Sequence, residues 1–100
     1  MTASFPDLED ASVFITGGGN GIGASLTAGF VGQGAKVAFV GRSDATDLVE
    51  NLAKTSRHRP LFIQCDVTDT AALQAAMDQA ATAHGPFKAV VNNAANDMRY

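Results

Sequence analysis

Residues 15–23 read Ile-Thr-Gly-Gly-Gly-Asn-Gly-Ile-Gly, and this stretch decides the fold. It begins where a short apolar run, Ser12 to Ile15, ends. The residues that follow have the apolar spacing of a helix, at Ile22, Leu26, Phe30 and Val31. A strand, a glycine loop and a helix start in this order are typical of a phosphate-binding turn. Glycine lets a ligand approach the main chain, and the helix N-terminus offers free N–H groups.

Two glycine spacings in this stretch fit a dinucleotide-binding loop. Gly17, Gly21 and Gly23 form Gly-x-x-x-Gly-x-Gly, whereas Gly19, Gly21 and Ala24 fit the pattern Gly-x-Gly-x-x-Ala. We favour the first, because the strand ends just before Gly17, which opens the turn. Both place the phosphates at the same helix. The alternative is a tight strand-to-helix turn without a ligand.

Composition excludes several classes of protein. The chain has 100 residues, 46% of them hydrophobic and 17% charged, which is typical of one small globular domain. A net charge of −3 argues against nucleic acid as the main partner, and no apolar run is long enough for a membrane span. The single cysteine, Cys65, is predicted to be a buried structural residue, and a chain with one cysteine fits a reducing cytoplasm. His58 and His84 have no partner at metal-ligand spacing, so we assign no metal.

Apolar runs alternate with amphipathic stretches along the whole chain. Strands are predicted at 12–16, 36–40, 61–65 and 88–92. Helices are predicted at 21–32, from Ser43 or Asp44 to the turn before Pro60, and from Asp69 to His84. Strands that are apolar on both faces and separated by helices indicate an α/β fold with a parallel sheet covered on both sides. Right-handed crossovers then give the strand order 3-2-1-4.

This layout places strand four at the edge of the sheet, although its sequence is that of a buried strand. The chain also stops at Tyr100, early in what should be the next helix. We therefore expect residues 1–100 to be the first half of a doubly wound domain in a longer protein, and we do not expect them to fold by themselves.

Polar residues follow the other three strands, at the sheet edge where such folds bind ligands. After strand two, Gly41 takes the place of the carboxylate that would bind a ribose, and Arg42 is suited to a 2′-phosphate. Asp44 is the other possible ribose carboxylate, although we expect it to cap the helix. After strand three, Asp66 can accept from an adenine amino group; alternatively Asp66 or Asp69 caps the next helix, and we expect Asp69 to be the cap. After strand four, Asn92 begins an Asn-Asn-Ala-Ala turn, whose side chains can bond a ribose or only the turn itself.

The four motifs in order, Thr-Gly-Gly-Gly-Asn-Gly-Ile-Gly, Gly-Arg-Ser, Cys-Asp-Val and Asn-Asn-Ala-Ala, resemble the short-chain dehydrogenase/reductase family over nearly the whole chain. A weaker likeness is to bacterial sugar dehydrogenases of that family. The resemblance implies a Rossmann-type fold, a nicotinamide cofactor, hydride transfer with a secondary alcohol, carbonyl or sugar, and a cytoplasmic homo-oligomer, either a dimer or a tetramer. Arg42 matches a position that often marks NADP preference, with NAD as the alternative. The implied cofactor contacts are Gly17, Gly19, Asn20, Gly21, Ile22, Gly23, Arg42, Ser43, Asp66, Val67, Asn93, Ala94 and Ala95.

Three features depart from the family pattern. Ala95 stands where glycine is usual, and Asn20 stands where some NADP enzymes carry a basic residue. The family's catalytic asparagine, serine, tyrosine and lysine are absent, and Tyr100 lies too close to the Asn-Asn-Ala-Ala turn to match the tyrosine. A methyltransferase would need acidic residues beside Thr16 and Arg42, where there are none. A non-catalytic nucleotide-binding sensor or scaffold of the same fold stays open as an alternative.

Overall fold

The fold is described from a computed structural model, over residues 8–17, 19 and 21–93. Strands and helices alternate along the chain, in the order β1 (Ser12–Thr16), α1 (Gly21–Gly32), β2 (Lys36–Gly41), α2 (Thr46–Ala53), β3 (Leu61–Gln64), α3 (Thr70–His84) and β4 (Ala89–Asn92). Within the described residues, no helix is both long and apolar enough to cross a bilayer.

The four strands form one parallel sheet in the order β3-β2-β1-β4, which confirms the predicted topology. Phe14 of β1 pairs with Ala38 on one side and with Val90 on the other. All five residues of β1 are buried, because this strand has a neighbour on each side and helices over both faces. Each helix returns the chain to the same end of the sheet, so consecutive strands run parallel, and such crossovers are right-handed in nearly all proteins.

The two faces of the sheet carry separate apolar clusters. On one face, Val13 and Ile15 of β1 pack with residues of α1 and α2. On the other face, Phe14 packs with α3, where Ala76 and Ala80 are buried, and its ring lies 5.2 Å from that of Phe87. Alternate side chains of a strand point to opposite faces, so β1 contributes to both clusters. This is the doubly covered sheet that the apolar strands predict.

The buried face of α1 matches the predicted apolar pattern only in part, because Val31 is buried and Phe30 packs against the core but Ile22 does not. Ile22, the first apolar residue of that pattern, is 72% exposed, whereas Gly23, Thr27 and Val31 are buried. The Thr27 hydroxyl donates to the carbonyl oxygen of Gly23, 2.9 Å away, so its polar atom is satisfied inside the core. On this face Gly23 lies against the main chain of Gly17, where a larger side chain would not fit.

The predicted start of α2 at Ser43 or Asp44 is wrong. The helix begins at Thr46 after Ala45, which makes no side-chain capping bond. The Asp44 carboxylate instead accepts from the backbone N–H and the hydroxyl of Thr46, at 3.0 and 2.6 Å, so it closes a turn just before the helix. The other differences are one residue long: β2 ends at Gly41, and β3 ends at Gln64.

The cap of α3 and the edge position of β4 agree with the sequence. Asp69 caps α3 by accepting from the N–H of Ala72 at 3.1 Å. β4 begins one residue later than predicted, at Ala89, and Val90 at this sheet edge is 53% exposed. Cys65 is buried as predicted, and burial, with the nearby carboxylates of the α3 start, raises the pKa of its thiol.

An ionic cluster lies at the opposite end of the sheet from the glycine loop. The Asp10 carboxylate is 2.8 Å from Nε of Arg57 and 2.6 Å from Nε2 of His58, and these hydrogen bonds, that from His58 first, lower the pKa of Asp10. His84, the last residue of α3, lies near this group. Burial, followed by the charges of Lys36 and His58, lowers the pKa of His84.

Candidate cofactor site

The residues predicted to bind the cofactor come from four segments that follow the four parallel strands. Carboxyl ends of parallel strands meet at one edge of a sheet, so the topology brings these segments together. Asn20, Ala94 and Ala95, which belong to the predicted set, lie outside the described residues, as does Tyr100.

The glycine loop has backbone conformations that favour glycine at two of its predicted positions. Gly17 has φ of 70° and Gly21 has φ of 56°, in the left-handed region that L side chains rarely adopt. The N–H of Gly17 donates to the carbonyl oxygen of Val40 at 2.8 Å, so the loop leaves the sheet while still bonded to β2. A Cβ at Gly21 would meet no atom of the described residues within 4 Å, so these residues leave space for a ligand beside its Cα.

Gly23 has a different role from that of Gly21. A Cβ at Gly23 would lie 1.8 Å from the carbonyl oxygen of Gly17 and 2.9 Å from Nδ2 of Asn93. The start of α1 therefore lies against the first residue of the loop, and any side chain at Gly23 would push them apart. The sequence predicts a glycine here for phosphate contact, whereas the structure requires it for packing inside the loop.

The end of β4 is bonded directly to this loop. The Thr16 hydroxyl donates to Oδ1 of Asn92 at 2.8 Å, and Nδ2 of Asn93 donates to the carbonyl oxygen of Gly17 at 3.1 Å. Sequence reasoning placed Asn93 near the ribose and nicotinamide, but it missed these two bonds. The sequence gives one signal for these bonds. Short polar side chains stand at the ends of β1 and β4, and the predicted strand order makes these two strands neighbours.

The N-terminus of α1 is suited to an anion. Its first turn contains no acidic residue, so nothing there opposes the positive end of the helix dipole. Ile22, the second residue of the helix, is largely exposed beside the open main chain of Gly21. A helix N-terminus whose first turn holds no carboxylate is a favourable place for a pyrophosphate.

Arg42 and Ser43, after β2, are both exposed. Over the ranges that the structure describes, the Arg42 guanidinium takes part in no salt bridge within 4 Å. The side-chain amide of Gln64, at the end of β3, donates to the carbonyl oxygen of Arg42 at 2.8 Å. The arginine side chain thus stands in solvent at the ligand-binding edge, on a backbone that a neighbouring strand supports.

Asp66 and Val67, after β3, are oriented differently from each other. Oδ1 of Asp66 accepts from the hydroxyl and the N–H of Thr68, at 2.7 and 2.9 Å, and these bonds lower the pKa of Asp66. The carboxylate is therefore charged and exposed at neutral pH. Val67 is half-buried and packs against the apolar cluster on the α3 face, so its side chain turns toward the core.

No group of three or more His, Cys, Asp or Glu side chains within residues 8–17, 19 and 21–93 is arranged to hold a metal ion. The functional groups that the described residues bring to this edge include main-chain amides, asparagine amides, the Arg42 guanidinium, the Ser43 hydroxyl and the Asp66 carboxylate. They are suited to bind a nucleotide by its phosphates, sugars and base.

Comparison with known proteins identifies the family. A family model described as short chain dehydrogenase matches residues 11–99, which include every described segment of the site. The chain belongs to the short chain dehydrogenase family. This membership confirms the resemblance and removes the methyltransferase alternative. The parallel sheet with order β3-β2-β1-β4 is the Rossmann-type half-fold expected for it.

Similar proteins include bacterial sugar dehydrogenases. The chain is 44% identical over 100 residues to the probable galactose dehydrogenase GalD of Rhizobium meliloti, and 41% identical over 101 residues to the D-xylose 1-dehydrogenase of Caulobacter vibrioides. These alignments take in 98% and 99% of this chain, but 39% of each relative. A solved short-chain dehydrogenase/reductase from Serratia marcescens superposes with a TM-score of 0.77 at 37% identity, covering 89% of this chain and 37% of that one.

Proposed function

We propose that this chain is the cofactor-binding half of a longer dehydrogenase, which transfers a hydride between a nicotinamide nucleotide and a sugar hydroxyl or another secondary alcohol. The observation that carries the proposal is the glycine loop. Gly21 opens its main chain at the N-terminus of α1, and Asn93 fixes the loop through the carbonyl oxygen of Gly17. The names of the relatives favour a sugar as the substrate.

The pyrophosphate of the cofactor would lie against Gly21 and Ile22, where free N–H groups and the helix dipole favour negative charge. Gly17 and Gly23 would keep the loop in shape, because their close contact leaves it little freedom to move. A loop that already has its bound shape loses little entropy when the ligand arrives, which favours affinity.

The adenosine end of the cofactor would lie between Arg42 and Asp66. No carboxylate occupies the position of Gly41, where an acidic side chain would repel a 2′-phosphate, and the Arg42 guanidinium can bind such a group in a fork. Ser43 adds a hydroxyl donor. The Asp66 carboxylate would accept from the adenine amino group. We therefore propose that NADP is preferred to NAD.

When bound, the nicotinamide ring supplies the carbon that accepts or gives the hydride. The described residues bind and orient the cofactor, and Asn92, through its bond to Thr16, fixes the turn beside the ring site. We propose that the proton-transferring tyrosine and lysine typical of the family belong to the rest of the longer protein. A cytoplasmic homo-oligomer is part of the same proposal.

Replacing Arg42 with alanine tests the cofactor preference. We expect the full-length protein to bind NADP+ more tightly than NAD+, and Arg42→Ala to weaken NADP+ binding by about 1.5–3 kcal/mol, or roughly 10- to 150-fold in Kd. Isothermal titration with both cofactors measures this. Arg59→Ala is the matched control, because Arg59 is an exposed arginine paired with Glu50 before β3. Tighter binding of NAD+, unchanged in Arg42→Ala, would contradict the preference.

Turnover tests the chemistry separately from binding. Formation of reduced nicotinamide with galactose, xylose or a simple secondary alcohol is the expected result for the full-length protein. Cofactor binding without oxidation of any sugar or alcohol, and without reduction of the matching carbonyls, would favour the non-catalytic nucleotide-binding alternative.

A further inference from the structure

Gln64 makes a contact that the cofactor-binding motifs do not include. It is the last residue of β3, and its side chain is exposed at the ligand-binding edge of the sheet. Its Nε2 donates to the main-chain carbonyl oxygen of Arg42, at 2.8 Å. The register of the sheet makes this possible, because Gln64 is the partner of Gly41, the residue before Arg42.

Two hydrogen bonds, to consecutive carbonyl oxygens, fix the direction of the main chain at Arg42. The N–H of Cys65 donates to the carbonyl oxygen of Gly41 at 2.8 Å, which extends the β2–β3 ladder by one step. The next carbonyl, that of Arg42, lies beyond the ladder, and the Gln64 amide takes the place of a main-chain donor. Without this amide, the Arg42 carbonyl oxygen would lose the donor that links it to β3.

The Arg42 side chain has no anchor of its own that could replace this support. Its guanidinium has no salt-bridge partner in the described ranges, and its charge contributes only a minor part of the lowered pKa of Asp66. The position of the guanidinium therefore depends on the backbone from which it projects. That backbone is fixed by Gln64 on one side and by the Asp44–Thr46 turn on the other.

We propose that Gln64 is a positioning residue for cofactor discrimination: its side-chain amide fixes the Arg42 backbone so that the guanidinium meets the 2′-phosphate. This rests on the proposed NADP preference. Gln64 acts through Arg42 and touches no reacting atom. Its removal lowers the affinity for the 2′-phosphorylated cofactor selectively, since only that cofactor needs the guanidinium in place.

The test is the ratio of the Kd for NAD+ to the Kd for NADP+, measured by isothermal titration of the full-length protein. Gln64→Met keeps the length of the side chain and removes the donor. We expect it to lower the ratio by about three- to tenfold, the range for one net hydrogen bond. Gln64→Ala serves as an independent second variant. Gln74→Met is the matched control, because Gln74 makes a similar exposed side-chain bond, 3.0 Å long, to Asp78 within α3.

A double variant separates positioning from a general structural effect. In an Arg42→Ala background, Gln64→Met is expected to leave the ratio unchanged, because nothing remains to be positioned. If Arg42→Ala lowers the ratio but Gln64→Met and Gln64→Ala leave it at the wild-type value, the role of Gln64 is overturned. The proposed function is then left intact. A wild-type preference for NAD+ that is insensitive to Arg42→Ala overturns both.

Discussion

A methyl group at position 23 would lie 1.8 Å from the carbonyl oxygen of Gly17, well inside the contact distance of two heavy atoms. The oxygen belongs to the main chain and also accepts from Asn93, so it has little room to move. At the residue scale, the shape of the phosphate loop therefore depends on the absence of one side chain. The same helix offers a glycine in the opposite situation, which makes a paired test possible.

We expect Gly23→Ala to destabilise the full-length protein by about 1–3 kcal/mol through overpacking, and to weaken cofactor binding as well. Gly29→Ala, in the same helix, is expected to stabilise it by about 0.5–1 kcal/mol, because its Cβ would meet no atom of the described residues within 4 Å and alanine favours helix. Urea unfolding of both variants measures the difference. Equal effects of the two substitutions would mean that the close contact at Gly23 is relieved by movement of the loop.

The sequence predicted the glycines of this loop but not their separate tasks. Gly21 is open to a ligand and Gly23 is packed against Gly17, yet both satisfy the same spacing rule. The distinction depends on how close the helix start comes to the strand end, which is a three-dimensional property. The supporting bonds of Asn93 and Gln64 were missed for the same reason, since each joins residues that lie far apart in sequence.

At the scale of single elements, α3 has the clearest start signal. Asp69 has an extended backbone, and its carboxylate accepts from the N–H of Ala72, satisfying one of the free donors of the first turn. We expect Asp69→Ala to lower the free energy of unfolding by about 0.5–2 kcal/mol. Asp69→Asn, which keeps a side-chain oxygen acceptor, should lose much less. Thermal unfolding of the two variants checks this, and an equal loss in both would assign the effect to charge instead of capping.

Elements were predictable to within a few residues because apolar periodicity and glycine or proline stops agreed with each other. The start of α2 was the exception. Asp44 has the side chain of a cap, but its carboxylate is taken by Thr46 two residues later, so the helix follows an uncapped Ala45. Two local hydrogen-bond patterns of similar energy compete there, and sequence alone does not rank them. The exposed Ile22 likewise reflects close packing of α1, which periodicity does not report.

At the scale of the whole molecule, His84, at the amino end of the sheet, makes the free energy of unfolding depend on pH. His84 has a lowered pKa because it is partly buried near Lys36 and His58, and its Nδ1 has no hydrogen-bond partner in the described residues. The unfolded chain therefore binds a proton at His84 more readily than the folded one. The stability that comes from keeping His84 neutral is fully present above the ordinary histidine pKa of about 6.5. It is lost as the pH falls toward the lower pKa of the folded state.

We expect the free energy of unfolding to be smaller at pH 5 than at pH 8, and His84→Gln to reduce that difference. Urea titrations of the full-length protein and the variant at both pH values provide the measurement. The lowered pKa values of Asp10, Asp44 and Asp66 affect stability only at more acidic pH, since all three start from 3.8. An unchanged pH dependence in His84→Gln would show that other groups cause it.

The strand order β3-β2-β1-β4 has a consequence for how the chain is made. β1 is made before the other strands of the sheet. Its second neighbour, β4, is complete only when Asn92, which bonds Thr16, has been added 76 residues later. At roughly 5–20 residues per second, that delay is about 4–15 s. During it, a strand whose residues are all buried in the finished fold has one edge without a partner. The nascent chain is thus the stage at which this sequence is most open to mispairing.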